Sequence, residues 1–350
     1  MSARIAPGQG GVSAKVADAA TSADTDGMAA ALVRMGLLAP GEGFESQALT
    51  GGVSSDIHLV RTDSRVFVLK RALEKLKVAA EWRAPMDRVA SEAAWLAYAG
   101  AVVPGSCPRV LAFDGETFTM ALEYLDPGVH LNWKSELLAG RVDPQVAASV
   151  ASRLGRIHAA SARQPELAGR FANADLFESL RIEPYLVRAG AAVPEAREPL
   201  ARIIAGLRET RIGLVHGDVS PKNILVGADP VLLDAECATW GDPAFDAAFC
   251  LTHLTLKRLH LPAHAEALAD AAFAFESAYL AEVDWEDQDA AAARIARIVP
   301  ALLLARVSGA SPAEYLDDAS RAVIRDIAID ALRTATPAHV LITEREEASR

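Results

Sequence analysis

The spacing of apolar positions changes once along this chain. Between about residues 40 and 123 they come in short alternating runs, the period of half-buried strands. Strands are predicted over 44–50, 53–62 and 65–71, with turns at Gly51-Gly52 and Asp63-Ser64. Two more are predicted over 109–113 and 116–123, around Asp114-Gly115, and a helix over 86–99. A shorter helix, capped near Thr25 or Asp26, should end about Leu38, before Pro40-Gly41. After Pro127-Gly128 the apolar residues fall three and four apart. That spacing predicts helices over 145–162, 174–189, 194–209, 244–260, 263–281, 286–308 and 313–334. Only short β-type runs near 214, 224 and 232 interrupt them. The chain therefore reads as α+β: a flexible lead-in (1–25), a small antiparallel β-rich lobe (26–123), a hinge (124–128), a larger helical lobe (129–340) and a tail (341–350).

Composition narrows the function classes. The 350 residues suffice for a sizeable core, and 51% hydrophobic with 23% charged residues is ordinary for a globular protein. A net charge of −11 argues against a broad basic face, so no nucleic-acid partner is expected. Three cysteines without a CxxC spacing make neither a disulfide framework nor a zinc cluster, and fit a reducing cytoplasm. Residues 1–27 lack the apolar core of a secretory signal. The run IVPALLLARVSGA from Ile298 is short and holds Arg306, so it reads as a buried helix and no membrane partner is expected. Nothing in the sequence sets the oligomeric state.

The densest chemistry lies in LVHGDVSPKNILV (214–226) and VLLDAE (231–236). Phosphoryl transfer from a nucleotide needs a carboxylate beside the attacking hydroxyl, oxygen ligands for magnesium and a cation on the phosphates. Asp218 can supply the first; Asn223 and Asp234 can supply metal oxygens. A loop between short strands brings the three together. The alternative is that Asp218 and Asn223 merely cap a turn.

HGDxxxxN followed by LDxE resembles the catalytic core of the aminoglycoside phosphotransferase/choline kinase family, which has the protein-kinase-like fold. WGDPAFDAAF (240–249) and LGRIHA (154–159) are similar to further segments of that family. The resemblance implies ATP and Mg²⁺ as cofactors and a small-molecule acceptor. It implies that Asp218 is the catalytic base or hydroxyl-positioning carboxylate, that Asn223 and Asp234 bind the metal, and that Glu236 adds a metal contact or supports one. His216 is read as structural, hydrogen-bonding the loop backbone; Asp246 and Asp242 are read as loop braces. Lys222 is left between a phosphate contact and solvent.

On the nucleotide side, LTGGVSSDI (49–57) offers Gly51 and Gly52 for close backbone approach to phosphate, and Ser54 or Ser55 as a donor, although a hairpin turn explains it equally. No Walker A sequence is present. The resemblance implies that Lys70, in VFVLKRAL, contacts the α/β phosphates and pairs with Glu92. Alternation lets only one of Lys70 and Arg71 face the nucleotide. Backbone groups of Glu123 and Leu125 are expected on the adenine edge. The segment 71–88, with Lys75, Lys77, Arg83 and Arg88, reads as a solvated surface helix, the alternative being a segment that folds over the nucleotide or substrate.

Two features of the helical lobe point to opposite acceptor charges. EVDWEDQD (282–289) sets five carboxylates around Trp285, fit for a cationic amine, or simply a solvated helix start. FCLTHLTLKRLH (249–260) puts His253 and Lys257 on one helix face, fit for an acidic acceptor, or an incidental basic edge. Arg181, Glu183 and Tyr185 of RIEPY are further pocket candidates. The expectation is an ATP- and Mg²⁺-dependent kinase acting on a small hydroxyl compound (an amino sugar, amino alcohol or sugar-like metabolite). A nucleotide-binding scaffold without turnover is the alternative. A protein kinase is disfavoured because no DFG or APE segment frames a long activation loop.

Overall fold

The computed structural model describes residues 22–49, 55–73 and 86–334. Most of the lead-in, Gly51, Gly52 and Ser54, Lys75, Lys77 and Arg83, and the tail lie outside them.

A helix, α1 (Ser22–Arg34), precedes a five-stranded antiparallel sheet in the order β1-β2-β3-β5-β4. The strands are β1 (Glu45–Ala48), β2 (Ser55–Arg61), β3 (Val66–Ala72), β4 (Val110–Asp114) and β5 (Thr119–Glu123). The helix α2 (Arg88–Val102) separates β3 from β4. Apolar residues of α1 and the chain after it, Met28, Leu32, Leu37 and Leu38, pack with Val60, Phe67 and Leu69 of the sheet. Trp95 and Leu96 of α2 belong instead to a core that continues from Met120 and Leu122 of β5 into the helical lobe. Arg34 ties α1 to Asp114 of β4 at 2.5 Å. The alternation in β3 is decisive: Lys70 is buried, while Arg71 lies directly opposite Asp56 of β2 and pairs with it at 3.4 Å.

The helical lobe begins with β6 (Leu131–Asn132) and α3 (Trp133–Leu138), a pair the sequence pattern does not predict. Next come α4 (Pro144–Ala162), the short α5 (Leu167–Arg170) and α6 (Ala174–Phe177), α7 (Arg188–Ala192) and α8 (Arg197–Glu209). The lobe is completed by the strands β7 (Gly213–Val215), β8 (Ile224–Val226), β9 (Val231–Leu232) and β10 (Thr239–Gly241), then α9 (Ala244–His260), α10 (Ala265–Ala281), α11 (Gln288–Ser308) and α12 (Asp318–Thr334). β8 pairs with β6 and β9, and β10 pairs with β7. A sheet followed by helices is the α+β, protein-kinase-like arrangement expected.

The predicted helix 174–189 is not one regular helix. Glu178–Val187 is a π-helical stretch containing Pro184. Proline has no N–H to give the carbonyl four residues back, Leu180, and that oxygen accepts from Arg181 Nη1 at 2.7 Å. Gly155 of α4 faces Glu282 so closely that an added Cβ would lie 2.7 Å from its Cβ, which lets α4 and the end of α10 approach. The core of α11, Ile298 to Arg306, is buried as expected. Among the described residues no helix is long and apolar enough to cross a membrane.

Candidate active site

β7 and β8 are three residues each and bracket the loop 216–223. Asp246, in the first turn of α9, holds that loop. Its carboxylate accepts from the backbone N–H of His216 at 2.6 Å and of Gly217 at 2.8 Å. His158 of α4 reaches the same carboxylate at 3.2 Å through Nε2, and its Nδ1 lies 2.9 Å from the Tyr279 hydroxyl. Gly217 has φ +84°, and an added Cβ would sit 2.7 Å from that of Cys237. His216 is structural, as read: Nδ1 accepts from Asp218 N at 3.1 Å, which leaves Nε2–H to donate to Leu233 O at 3.1 Å. Burial holds its imidazole below the ordinary value, so it stays neutral at neutral pH. Its ring also meets Trp95 of α2 edge-on, with centroids 4.7 Å apart.

Asp218 is buried, and burial alone would favour its neutral form. Arg181 at 2.8 Å, then Lys222 at 3.2 Å and His216, outweigh that and hold its carboxyl well below the usual range. It is therefore an ionised, weakly basic carboxylate. Arg181 also donates from Nε to Gly217 O. That makes it the clamp of the 216–223 loop, a role the sequence did not reveal. Lys222 turns its ammonium to Asp218, although its side chain is 54% exposed.

Asn223 donates from Nδ2 to Asp218 O at 3.2 Å, and its own carbonyl accepts from Leu233 N at 2.8 Å. This bond, beside the β8–β9 pairing, sets Asn223 next to the residue before Asp234. Asp234 has φ +69°, the left-handed region that costs a non-glycine residue ~1 kcal/mol or more.

Lys70 joins the two lobes. Its Nζ lies 2.7 Å from Glu92 Oε2, 2.5 Å from Asp234 Oδ1 and 3.0 Å from Glu236 Oε1. Burial would depress its pKa, but Asp234, Glu236 and Glu92 overcome that and hold it well above the ordinary lysine value. Burial pushes the Glu92 carboxyl up, with Lys70 opposing and the other two carboxylates adding to the rise. Glu236 is further bound by Ser55 Oγ at 2.8 Å and Arg88 Nε at 3.2 Å. Ser55 is thus occupied with Glu236 here rather than open to a phosphate. Arg88 corrects the reading of 71–88: it is fully buried, not solvated, and its Nη2 donates to Leu73 O at 2.6 Å. Its position ahead of an apolar helix face carried no sign of a distant carboxylate partner. Glu123 ends β5; its side chain pairs with Arg109 at 2.6 Å, and Leu125 follows in the link to the helical lobe.

Residues 45–285 match the model of APH, the phosphotransferase enzyme family. The chain belongs to this family. Among curated relatives, this chain is 30% identical over 228 residues to a methylthioribose kinase of Erwinia tasmaniensis, covering 57% of this chain and 56% of that one. It is also 30% identical over 227 residues to a methylthioribose kinase of Yersinia enterocolitica, with the same coverage. The match thus spans little more than half the length of these relatives. Among solved structures, an aminoglycoside phosphotransferase from Alicyclobacillus acidocaldarius aligns at 14% identity with a TM-score of 0.46, over 85% of this chain and 93% of that one. A likeness so distant carries no information about substrate.

Proposed function

We propose that this phosphotransferase is a cytoplasmic, Mg²⁺-dependent kinase that moves the γ-phosphoryl group of ATP to a hydroxyl of a small acceptor. The observation that carries the reading is the meeting of Lys70, Glu92 and Asp234 across the lobes, beside a loop that presents an ionised Asp218. The sugar-type acceptor named for the relatives supports a small polyhydroxyl compound as the substrate class.

The donor set fits magnesium. Glu92, Asp234 and Glu236 each offer a carboxylate oxygen within 4.8 Å of one another, hard ligands of the kind Mg²⁺ takes. Of these, Asp234 is the one with a third of its side chain open to solvent, whereas Glu92 and Glu236 are buried against Lys70. Asp234, with the amide oxygen of Asn223, is therefore the pair assigned to the metal. Glu236 is assigned to holding Lys70 and Arg88. When bound, the ion supplies neutralisation of phosphate charge.

The chain's own work is positioning. Lys70, kept charged by its carboxylates, steadies phosphate oxygens, and the backbone of Glu123 and Leu125 receives the adenine edge. Gly51, Gly52 and Ser54 are assigned to the phosphates on the strength of the family resemblance. Asp218, being so acidic, orients the acceptor hydroxyl through a hydrogen bond and takes its proton only as the new O–P bond forms. Arg181 keeps that carboxylate ionised and fixed.

Slow Mg²⁺-dependent ATP hydrolysis by the purified chain, abolished in Asp234→Asn, is the expected result. Nucleotide binding with no turnover under any condition would instead favour a regulatory scaffold.

A further inference from the structure

The two features that oppose one another in the sequence part company in the structure. Four of the five acids in the acid-rich run are engaged locally, and the fifth, Asp289, is exposed in the first turn of α11. Glu282 accepts from Ser152 Oγ at 2.6 Å, Asp284 pairs with Arg163, Glu286 pairs with Arg294 at 2.6 Å, and Asp287 caps α11 through Ala290 N at 2.9 Å. Trp285 sets its ring edge-on to His158 and Tyr279. Little there is left for a cationic amine.

The basic face of α9 is the reverse case. Lys257 is 1% exposed, yet among the described residues no carboxylate lies within ion-pair distance of it. Its Nζ makes one long hydrogen bond, 3.4 Å to His253 O, and stands 5.3 Å from the Tyr315 ring centre. Arg306 of α11, 8% exposed, bonds Ser311 through Nη1, but its buried Nε meets no acceptor. The buried Tyr315 hydroxyl is also without a partner. Three donors are thus buried and under-used, a costly arrangement for a fold that gains nothing from it.

These groups connect to the catalytic loop. Tyr185 and Phe249 lie with ring centroids 5.8 Å apart. The Arg306 guanidinium stands over Tyr185 at 5.9 Å, and that of Arg181, the partner of Asp218, stands over both rings, 5.7 Å from Tyr185 and 5.8 Å from Phe249. His253 packs its ring on Phe249 at 5.2 Å. Lys134, tied to Glu314, and Lys222, tied to Asp218, are partly exposed, with side chains 29% and 54% open to solvent. Among the described residues, the carboxylates that pair directly with Lys134, Arg181, Lys222, Lys257 and Arg306 are Asp218 and Glu314, the first already bound by two of these cations and the second by Lys134. The surplus is positive and lies beside the residue that orients the acceptor.

We propose that the acceptor carries an anionic group, a carboxylate or a phosphate, held by Lys257, Arg306 and the Tyr315 hydroxyl while its reacting hydroxyl faces Asp218. The inference rests on the kinase reading above and adds the charge of the substrate. Arg306 supplies planar donors and Lys257 a point charge, a combination suited to either anion.

The test is calorimetric titration of the full chain, saturated with Mg²⁺ and a non-hydrolysable ATP analogue. The titrants are inorganic phosphate, gluconate, glucose 6-phosphate, glucose and glucosamine. The anions should bind and glucosamine should not; gluconate against glucose 6-phosphate distinguishes carboxylate from phosphate. Lys257→Met should weaken the preferred anion about 30-fold or more, the scale of losing one buried charged partner. Tyr315→Phe, a milder change, should weaken it several-fold, and Lys257→Arg should recover part of the loss. Anion binding equal in wild type, Lys257→Met and Tyr315→Phe, or preference for glucosamine, overturns the proposal. Failure of the nucleotide analogue to bind overturns the kinase reading instead. Phosphate titrated without nucleotide then still reports whether Lys257 matters.

Discussion

Lys70 and Lys257 are both buried lysines, and their surroundings are opposite. Lys70 has three carboxylates within 3.0 Å and is held charged, well above its ordinary pKa. Lys257 has none; burial first, then Lys134, pull it down to about 7. The first site carries more negative charge than its own lysine cancels. Around the second, among the described residues, cations outnumber the carboxylates that pair with them. Asp218 lies between, tied to Arg181 and Lys222. A reaction joining a metal-bound triphosphate to an anionic acceptor needs that polarity, cation-seeking on one side and anion-seeking on the other.

The contrast is tested most severely at its midpoint. Asp218→Asn should lower turnover by roughly 10²–10⁴-fold while nucleotide affinity changes little, read by steady-state kinetics beside titration of the nucleotide. Next, Lys70→Met leaves Glu92 and Asp234 without their cation, while Glu236 keeps Arg88. A loss of about 3–5 kcal/mol in urea unfolding is expected, and Mg²⁺ should raise the variant's Tm more than the wild type's. If Mg²⁺ affects both equally, the Lys70 site is not electrically in need of a cation.

Arg181→Met removes the strongest cation acting on Asp218. The carboxyl then titrates higher, so the acidic limb of the kcat/KM profile should move up by about 1–3 pH units. The smallest effect is at Lys257. Lys257→Met should leave Tm unchanged or raise it, because an uncompensated ammonium gives way to an apolar side chain. The folded pKa lies below the unfolded one, so between about 7 and 10.5 the unfolded chain holds more protons. Across that window wild-type stability rises with pH relative to the variant, by at most ~1.4 kcal/mol per unit, and below it the difference is flat. A wild type that is more stable than the variant at pH 7 would show Lys257 to be a structural residue.

How much of this was legible in the sequence follows from the range of each interaction. Strand alternation and helical spacing are local, and they place β2, β3, α4 and α9 within a few residues of where they lie. HGDxxxxN and LDxE are local as well, so Asp218, Asn223 and Asp234 could be named. What stayed hidden depends on partners far away in the chain. Arg88 meets Glu236 and Arg181 meets Asp218 only once the helices pack, and no spacing encodes such pairs. The π-helical stretch was missed for a related reason: Pro184 was visible, but whether it ends, bends or widens a helix depends on what accepts the freed carbonyl. The charge conflict between 249–260 and 282–289 could not be resolved from the sequence, because an acid looks alike whether a neighbour consumes it or a ligand does.

The bond from Lys70 to Asp234, 2.5 Å long, has a bearing on the sequence of events at this site. One ammonium cannot give its full attention to an aspartate and to an arriving polyphosphate at once. On the function proposed above, a lysine turning to the newcomer would let the aspartate go, and its oxygens would then be open to a divalent ion. Traffic through the cleft would then be ordered by a single proton-rich nitrogen changing hands.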